Sequence, residues 1–219
     1  MRSSRTVRSA ALGLGIAAAL ATAAPVHAAT PAHQAAHHQV TAARYVGSAQ
    51  EKADTKAFYD AVMKSARARM AAHPNLTTVT VVYDPSGAPT FQSQISQAAQ
   101  IWNSAVSNVK LSAGSNADFS YREGNDSRGS YASTDGHGSG YVFLDYAQNQ
   151  EYNSTRVVAH ETGHVLGLPD DYSGPCSELM SGGGPGPSCQ NTQPDANERA
   201  TVDQLWANGL AGAHMAPAS

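Results

Sequence analysis

Residues 157–172, Val-Val-Ala-His-Glu-Thr-Gly-His-Val-Leu-Gly-Leu-Pro-Asp-Asp-Tyr, constrain this 219-residue chain more than any other stretch. On a helix, side chains four apart stack one turn above each other, so His160 and His164 aim their imidazoles in one direction. Val157, Val158, Val165 and Leu166 load the same segment with apolar groups, which predicts a helix over 154–166 anchored in a core. Gly167 permits the left-handed backbone that ends a helix, and Pro169 stiffens the returning chain. An acid then arrives: Asp170, six residues after His164, with Asp171 beside it. Two imidazoles and a carboxylate oxygen are donors that suit one zinc ion with an open fourth position. Spacing chooses only modestly between Asp170 and Asp171. Glu161 stands about 100° around the helix from His160, so it serves poorly as a further ligand. It can instead reach a water beside the ion and accept its proton. By this chain's composition an H-E-x-x-H arises by chance roughly once in a hundred cases, and the added Gly and Asp lower that to roughly a few in 100,000. The segment therefore reads as an active-site helix. Two rivals, a zinc-holding adhesion module and a zinc hydrolase acting on other amides, differ from a protease in whether a chelator-sensitive cleavage of protein is seen.

The amino-terminal third reads differently. Arg2, Arg5 and Arg8 precede an apolar run of small residues over 10–24, and Val26-His27-Ala28 suits a signal peptidase. Residues 1–28 are thus expected to be a secretory signal; the run is too short and too rich in Ala and Gly for a membrane span. Residues 29–48 are polar and Ala-rich, with His33, His37 and His38 in what reads as a spacer. Over 49–72, Phe58, Val62, Met63, Ala66 and Met70 fall at helical spacings, with Lys and Arg on much of the other face. His73-Pro74-Asn75 breaks that helix. Residues 1–77 carry nine Lys/Arg against three Asp/Glu, whereas 78–219 carry five against fourteen. Such an acidic exported domain is a poor nucleic-acid binder, and protein or peptide substrates, a monomeric state and no membrane partner are expected. Residues 29–77 are read as a propeptide. They hold no cysteine, so a thiolate cannot silence the metal; either a basic helix around 52–69 is laid on the acidic domain, or the segment is a folding aid or a spacer.

From residue 78 the pattern is that of a mixed α/β (α+β) domain running to about 209. A β-branched strand at 78–83 meets the turn Asp84-Pro85-Ser86-Gly87, and 90–109 form an amphipathic helix with Phe91, Ile95, Trp102 and Val106 inward. Strand-like runs follow at 109–112, 117–122 and 140–146, then the helix over 154–166. Residues 173–194 are irregular and contain both cysteines, Cys176 and Cys189. In an exported chain this pair is expected to form a disulfide, worth about 3 kcal/mol by loop entropy, and the spacing fits no Cys-based zinc site. A last helix starts at Asp195 as N-cap and turns Val202, Leu205 and Trp206 inward. The expectation is a twisted mixed sheet with about three helices.

The spacing His160-Glu161-x-x-His164-x-x-Gly167-x-x-Asp170 resembles the metzincin zinc-binding pattern, with Asp as third ligand as in the snapalysin family of small extracellular neutral proteases from Streptomyces. The runs 129–138, Tyr141-Val142-Phe143-Leu144-Asp145-Tyr146 and 172–181 resemble the same family, and the likeness covers essentially all of 78–209. It implies a secreted zinc endopeptidase of metzincin-like fold that favours Tyr or Phe just after the cut bond, and it selects Asp170 over Asp171. It also implies that Met180 forms a methionine turn beneath the zinc, that Tyr172 stands near the metal, and that Cys176 and Cys189 are bridged. A phenol at Tyr172 can donate a hydrogen bond to the oxyanion formed as water attacks a carbonyl. The family's calcium site corresponds to Asn153 and Thr155, although Asn153 stands where the family usually has Asp, a stronger calcium ligand.

Overall fold

Along the first strand Val79, Val81 and Tyr83 are buried while Thr80 is exposed and Val82 half-buried, the period of two that lays one strand face on a core. The structure, a computed structural model, describes residues 49–72, 78–134 and 140–214. The expected signal, the spacer, the break at 73–75 and the run 135–138 lie outside the described residues.

Helix α1 (Ala49–Ala72) precedes strand β1 (Val79–Gly87), helix α2 (Gln92–Ala105), and strands β2 (Val109–Ala113), β3 (Phe119–Gly124), β4 (Tyr131–Thr134) and β5 (Gly140–Asp145). Helices α3 (Tyr146–Glu151), α4 (Ser154–Val165) and α5 (Ala196–His214) follow. The five strands form one sheet in the order β2-β1-β3-β5-β4. All neighbours are parallel except β4, which runs antiparallel to β5 at the edge. This is the mixed α+β sheet expected from the sequence. It carries more helices than the three foreseen for 78–209, because α3 was not anticipated. That six-residue helix has no room for an apolar period; Asp145 starts it by accepting a hydrogen bond from the backbone N–H of Gln148 at 2.7 Å. Strand β4 was also missed. Its four residues are all half-buried and sit in a Ser/Gly-rich stretch. Strand β1 runs on through the expected turn at Asp84, with a register shift against β3 between Asp84 and Gly87. A Cβ on Gly87 would lie 2.6 Å from the carbonyl oxygen of Tyr121, so only glycine lets the strands approach there.

Two tryptophans fix α4 in place. Trp102 of α2 donates its indole N–H to the carbonyl of Ala159 at 2.9 Å, and Trp206 of α5 donates to Leu166 at 3.1 Å. Both rings are fully buried, so each combines a large apolar surface with a satisfied polar atom. Helix α5 starts with a capping box: Asp195 Oδ1 accepts from the N–H of Glu198, and Glu198 Oε2 accepts from that of Asp195. Helix α1 packs against β4, α4, β1 and α5, and its apolar stripe Phe58, Val62, Met63, Ala66 and Met70 is buried in the common core. Cys176 and Cys189 are bridged. Among the described residues no helix is long and apolar enough to cross a membrane.

Candidate metal centre and its cleft

Every residue of α4 from Arg156 to Val165 is buried. The helix begins at Asn153, whose Oδ1 accepts from the N–H of Arg156 at 3.0 Å. It ends in a Schellman turn: Leu168 N–H bonds to the carbonyl of Gly163 and Gly167 N–H to that of His164, both at 3.0 Å. Gly167 has φ +104°, and a Cβ there would also meet Leu205 and Tyr59 at 2.9 Å. The turn sends the chain back across the helix face and brings Asp170 to the two imidazoles.

His160 Nδ1 lies 3.1 Å from the carbonyl oxygen of Leu179, and His164 Nδ1 lies 2.8 Å from that of Leu168. A carbonyl only accepts, so each Nδ1 carries the ring hydrogen, and each Nε2 presents a lone pair. Those lone pairs face Asp170: its Oδ1 is 3.0 Å from His160 Nε2 and 3.3 Å from His164 Nε2. In the neutral rings Nε2 has no hydrogen to give, and Asp170 Oδ1 is a buried oxygen with no hydrogen-bond donor. Three lone pairs therefore converge within 4.8 Å of one another, a costly arrangement unless a positive charge sits among them. The titration of the groups shows the same need for positive charge, with a proton on His164 standing where an ion otherwise would. Burial pushes the His164 imidazolium down, but the Asp170 carboxylate more than offsets it and raises the pKa to about 9. Burial also acts to raise Asp170, and the two histidines hold it well below the ordinary carboxylate range. Two nitrogens and one oxygen in this array suit zinc. Asp171 turns elsewhere: it is exposed, and its Oδ1 accepts from Ser173 at 2.6 Å.

Glu161, also buried, joins Asp170, His164 and Tyr172 in lining a cleft. The Tyr172 ring lies over that of His160, 6.4 Å between centroids and 26° from parallel. Gly182, at φ +53°, fits beside both rings, where a Cβ would come within 2.9 Å of Tyr172 and 3.0 Å of His160. Met180 packs beneath α4 against Gly163; a Cβ on Gly163 would stand 2.6 Å from the Met180 sulfur. The expected calcium residues find different work. Asn153 caps α4 and donates to Gln190, and the cavity it shares with Thr155 is lined by Gln, Ser, Thr, Asn and Ile side chains without a carboxylate. That donor set does not fit calcium, which prefers carboxylate oxygens.

Sequence reasoning missed Arg156, the buried guanidinium one turn before His160. It donates to the carbonyls of Gly182 (3.2 Å), Asn191 (2.8 Å) and Glu178 (2.9 Å) and to the Ser181 hydroxyl (2.8 Å). Burial lowers its pKa, with the charge of Glu198 opposing. Glu198 in turn accepts from the N–H groups of Leu179 and Met180. Arg156 and Glu198 thus hold the turn around Met180 from both sides. The available signal was an arginine four residues before the first histidine, on the same helix face. Gly163 was equally legible, since a mid-helix glycine costs about 1 kcal/mol and asks for a packing reason.

Residues 78–209 match the model of the family described as Streptomyces extracellular neutral proteinase. The extracellular small neutral protease of Streptomyces lividans is 58% identical over 220 residues, covering 97% of this chain and 95% of the relative. That of Streptomyces coelicolor is 70% identical over 164 residues, 75% of this chain and 76% of the relative. That of Streptomyces caespitosus is 76% identical over 132 residues, 60% of this chain and the whole of the relative.

Proposed function

The chain belongs to the Streptomyces extracellular neutral proteinase family, and from that premise we propose that it holds zinc through His160, His164 and Asp170 and cuts peptide bonds with Glu161 as general base. As a member of that family it is an extracellular metalloendopeptidase of metzincin-like fold, acting on proteins or peptides. The observation that carries the proposal is the convergence of two imidazole Nε2 atoms on a buried Asp170 oxygen that has no hydrogen-bond donor.

Bound there, zinc supplies Lewis-acid polarisation of a peptide carbonyl and makes a nearby water more acidic. The chain's own groups do the rest. Glu161, one residue along the helix from His160 and facing the cleft, accepts a proton from the attacking water and returns it to the leaving amine. Tyr172 donates its phenol hydrogen bond to the oxygen that becomes negative as the carbonyl is attacked. Met180 and Gly163 set the floor beneath the two histidines, and Arg156 fixes the loop that carries Met180 and Gly182.

A second cavity opens beside His160 and Glu161, lined by Gln148, Tyr152, Val157, Tyr172, Gly182 and Gly183. Val157 and the Tyr152 and Tyr172 rings give it apolar wall, while Arg128, Ser130, Gln148 and Arg156 add polar groups; a flat ring with or without a hydroxyl suits that mixture, which supports Tyr or Phe after the cut bond. In domain terms, residues 1–28 are the signal, 29–77 a propeptide and 78–219 the catalytic part. Casein cleavage with and without a chelator tests the reading. Cleavage that stops on chelation and returns with zinc is expected; zinc bound without cleavage would leave a metal-holding module instead.

A further inference from the structure

We propose that α1 is an inhibitory strap, anchored by Phe58, that keeps the unprocessed chain silent by holding Asp54 and Thr55 in the cleft beside the metal centre. The inference rests on the protease reading above and adds which residues close the site and what holds them there.

Asp54 and Thr55 line the same cleft as Glu161, His164, Asp170 and Tyr172. Thr55 is buried, with its hydroxyl oxygen 3.5 Å from His164 Nδ1, the ring nitrogen turned away from Asp170, so it packs against the back of a proposed ligand. A peptide bound in this cleft has to share it with the first turns of α1. The helix is not merely resting there. Phe58, one turn on from Asp54, is fully buried and packs edge-on to Phe119 at 6.1 Å. It occupies space that exists because residue 140 is glycine: a Cβ on Gly140 would fall 2.2 Å from the Phe58 ring. Val62, Met63, Ala66 and Met70 continue the stripe. At the far end Arg69 and Ser65 both bond to the carboxylate of Asp118, which is buried in the catalytic part and also accepts from the N–H of Val82.

The manner of docking differs from the charge-driven cover expected from sequence. Lys56 pairs with Asp60 of its own helix, and Lys52, Lys64 and Arg67 are exposed. Arg69 is the cation that reaches across to Asp118. The grip is therefore mainly apolar, and salt should loosen it little. The helix is also separable in principle. The Streptomyces caespitosus protease is matched over its whole length by 132 residues of this chain, as many as the family match 78–209 holds.

The test uses the full chain loaded with zinc, with a recognition site for a specific protease inserted between Ala72 and Thr78. Two quantities are read before and after nicking and dilution: cleavage of a quenched fluorescent peptide containing one Phe, and the rate at which EDTA strips the zinc. The nicked chain should exceed the intact chain at least tenfold in both, and 1 M salt should not activate the intact chain. Phe58→Ala in the intact chain should weaken docking on the order of a hundredfold and raise both quantities without nicking. Intact and nicked chains that behave alike would overturn the strap, and activation of the intact chain by salt alone would overturn its apolar anchoring. Should neither form cut the peptide, the protease reading fails while the stripping rates still decide the strap. If Phe58→Ala proves unfolded by circular dichroism, the nicking comparison on the unsubstituted residue stands by itself.

Discussion

Helix α4 buries every side chain from Arg156 to Val165, whereas α1 buries one stripe and leaves Lys52, Lys56, Lys64 and Arg67 exposed. Both helices border the same cleft. In α4 the buried polar groups meet specific partners: His160 and His164 face carbonyls, Thr162 bonds to Val158 and Tyr121, and Arg156 makes four hydrogen bonds to the loop opposite. In α1 the grip is a stripe of apolar side chains, with hydrogen bonds from Tyr59 to Leu205 and from Ser65 to Asp118 and the Arg69–Asp118 ion pair at the end. Polar networks of the first kind fix geometry, and breaking one member strands the others. Apolar stripes of the second kind hold firmly but can be lifted as a unit. The contrast teaches which helix works as a permanent support and which can come away.

The largest effects should fall on α4. Glu161→Ala removes the proposed base and nothing that holds the ion, so turnover should drop on the order of a thousandfold while zinc content, measured by atomic absorption, stays at one per chain. Lost zinc would mean that Glu161 is a ligand instead. Next comes Arg156→Met, which leaves the carbonyls of Gly182, Asn191 and Glu178 without their donor. A loss of about 3 kcal/mol is expected from the urea midpoint, together with a raised KM for a Phe-containing peptide, because Gly182 and Gly183 wall the second cavity. A full-length chain carrying Arg156→Met with unchanged stability would show that the polar network is not what fixes α4.

Much of this was legible from sequence for a definite reason. The spacing of His160, His164, Gly167 and Asp170 encodes a helix, its left-handed end and the return of an acid, all of them local geometry. Strand β1 announced itself through a β-branched run, β2, β3 and β5 as short strand-like runs between turn-rich segments, and Asp195 through its capping chemistry. The misses were features decided by tertiary contact. Strand β4 has no alternation to display, because all four residues are half-buried. The partners of Arg156 lie 22 to 35 residues away along the chain, across an irregular loop. The charge imbalance between the two parts of the chain was real, yet it did not reveal that the faces in contact are apolar. Spacing alone left Asp170 and Asp171 nearly level; the family pattern selected Asp170, and the path after the Schellman turn is the physical reason that its carboxylate looks inward.

A smaller effect sharpens the comparison on the α4 side. Gly163→Ala should gain up to about 1 kcal/mol in helix propensity, but its Cβ would stand 2.6 Å from the Met180 sulfur. Methionine is flexible and can shift, so the overpacking should exceed the gain only modestly, for a net loss of about 1 kcal/mol seen as a lower Tm. A raised Tm would mean that the floor beneath the histidines is loose.

The smallest effect expected is on the exposed face of α1. Lys64→Gln removes a cation from a helix that a charge-driven cover would need, so it separates the two accounts of how α1 is held. The side chain is exposed, and an exposed charge acting through water contributes little. Peptide cleavage by the intact chain should therefore change by less than about twofold, at low salt as well as at high. An activation at low salt comparable to that of Phe58→Ala would show that the long-range field of the basic helix, rather than its buried stripe, keeps α1 across the cleft.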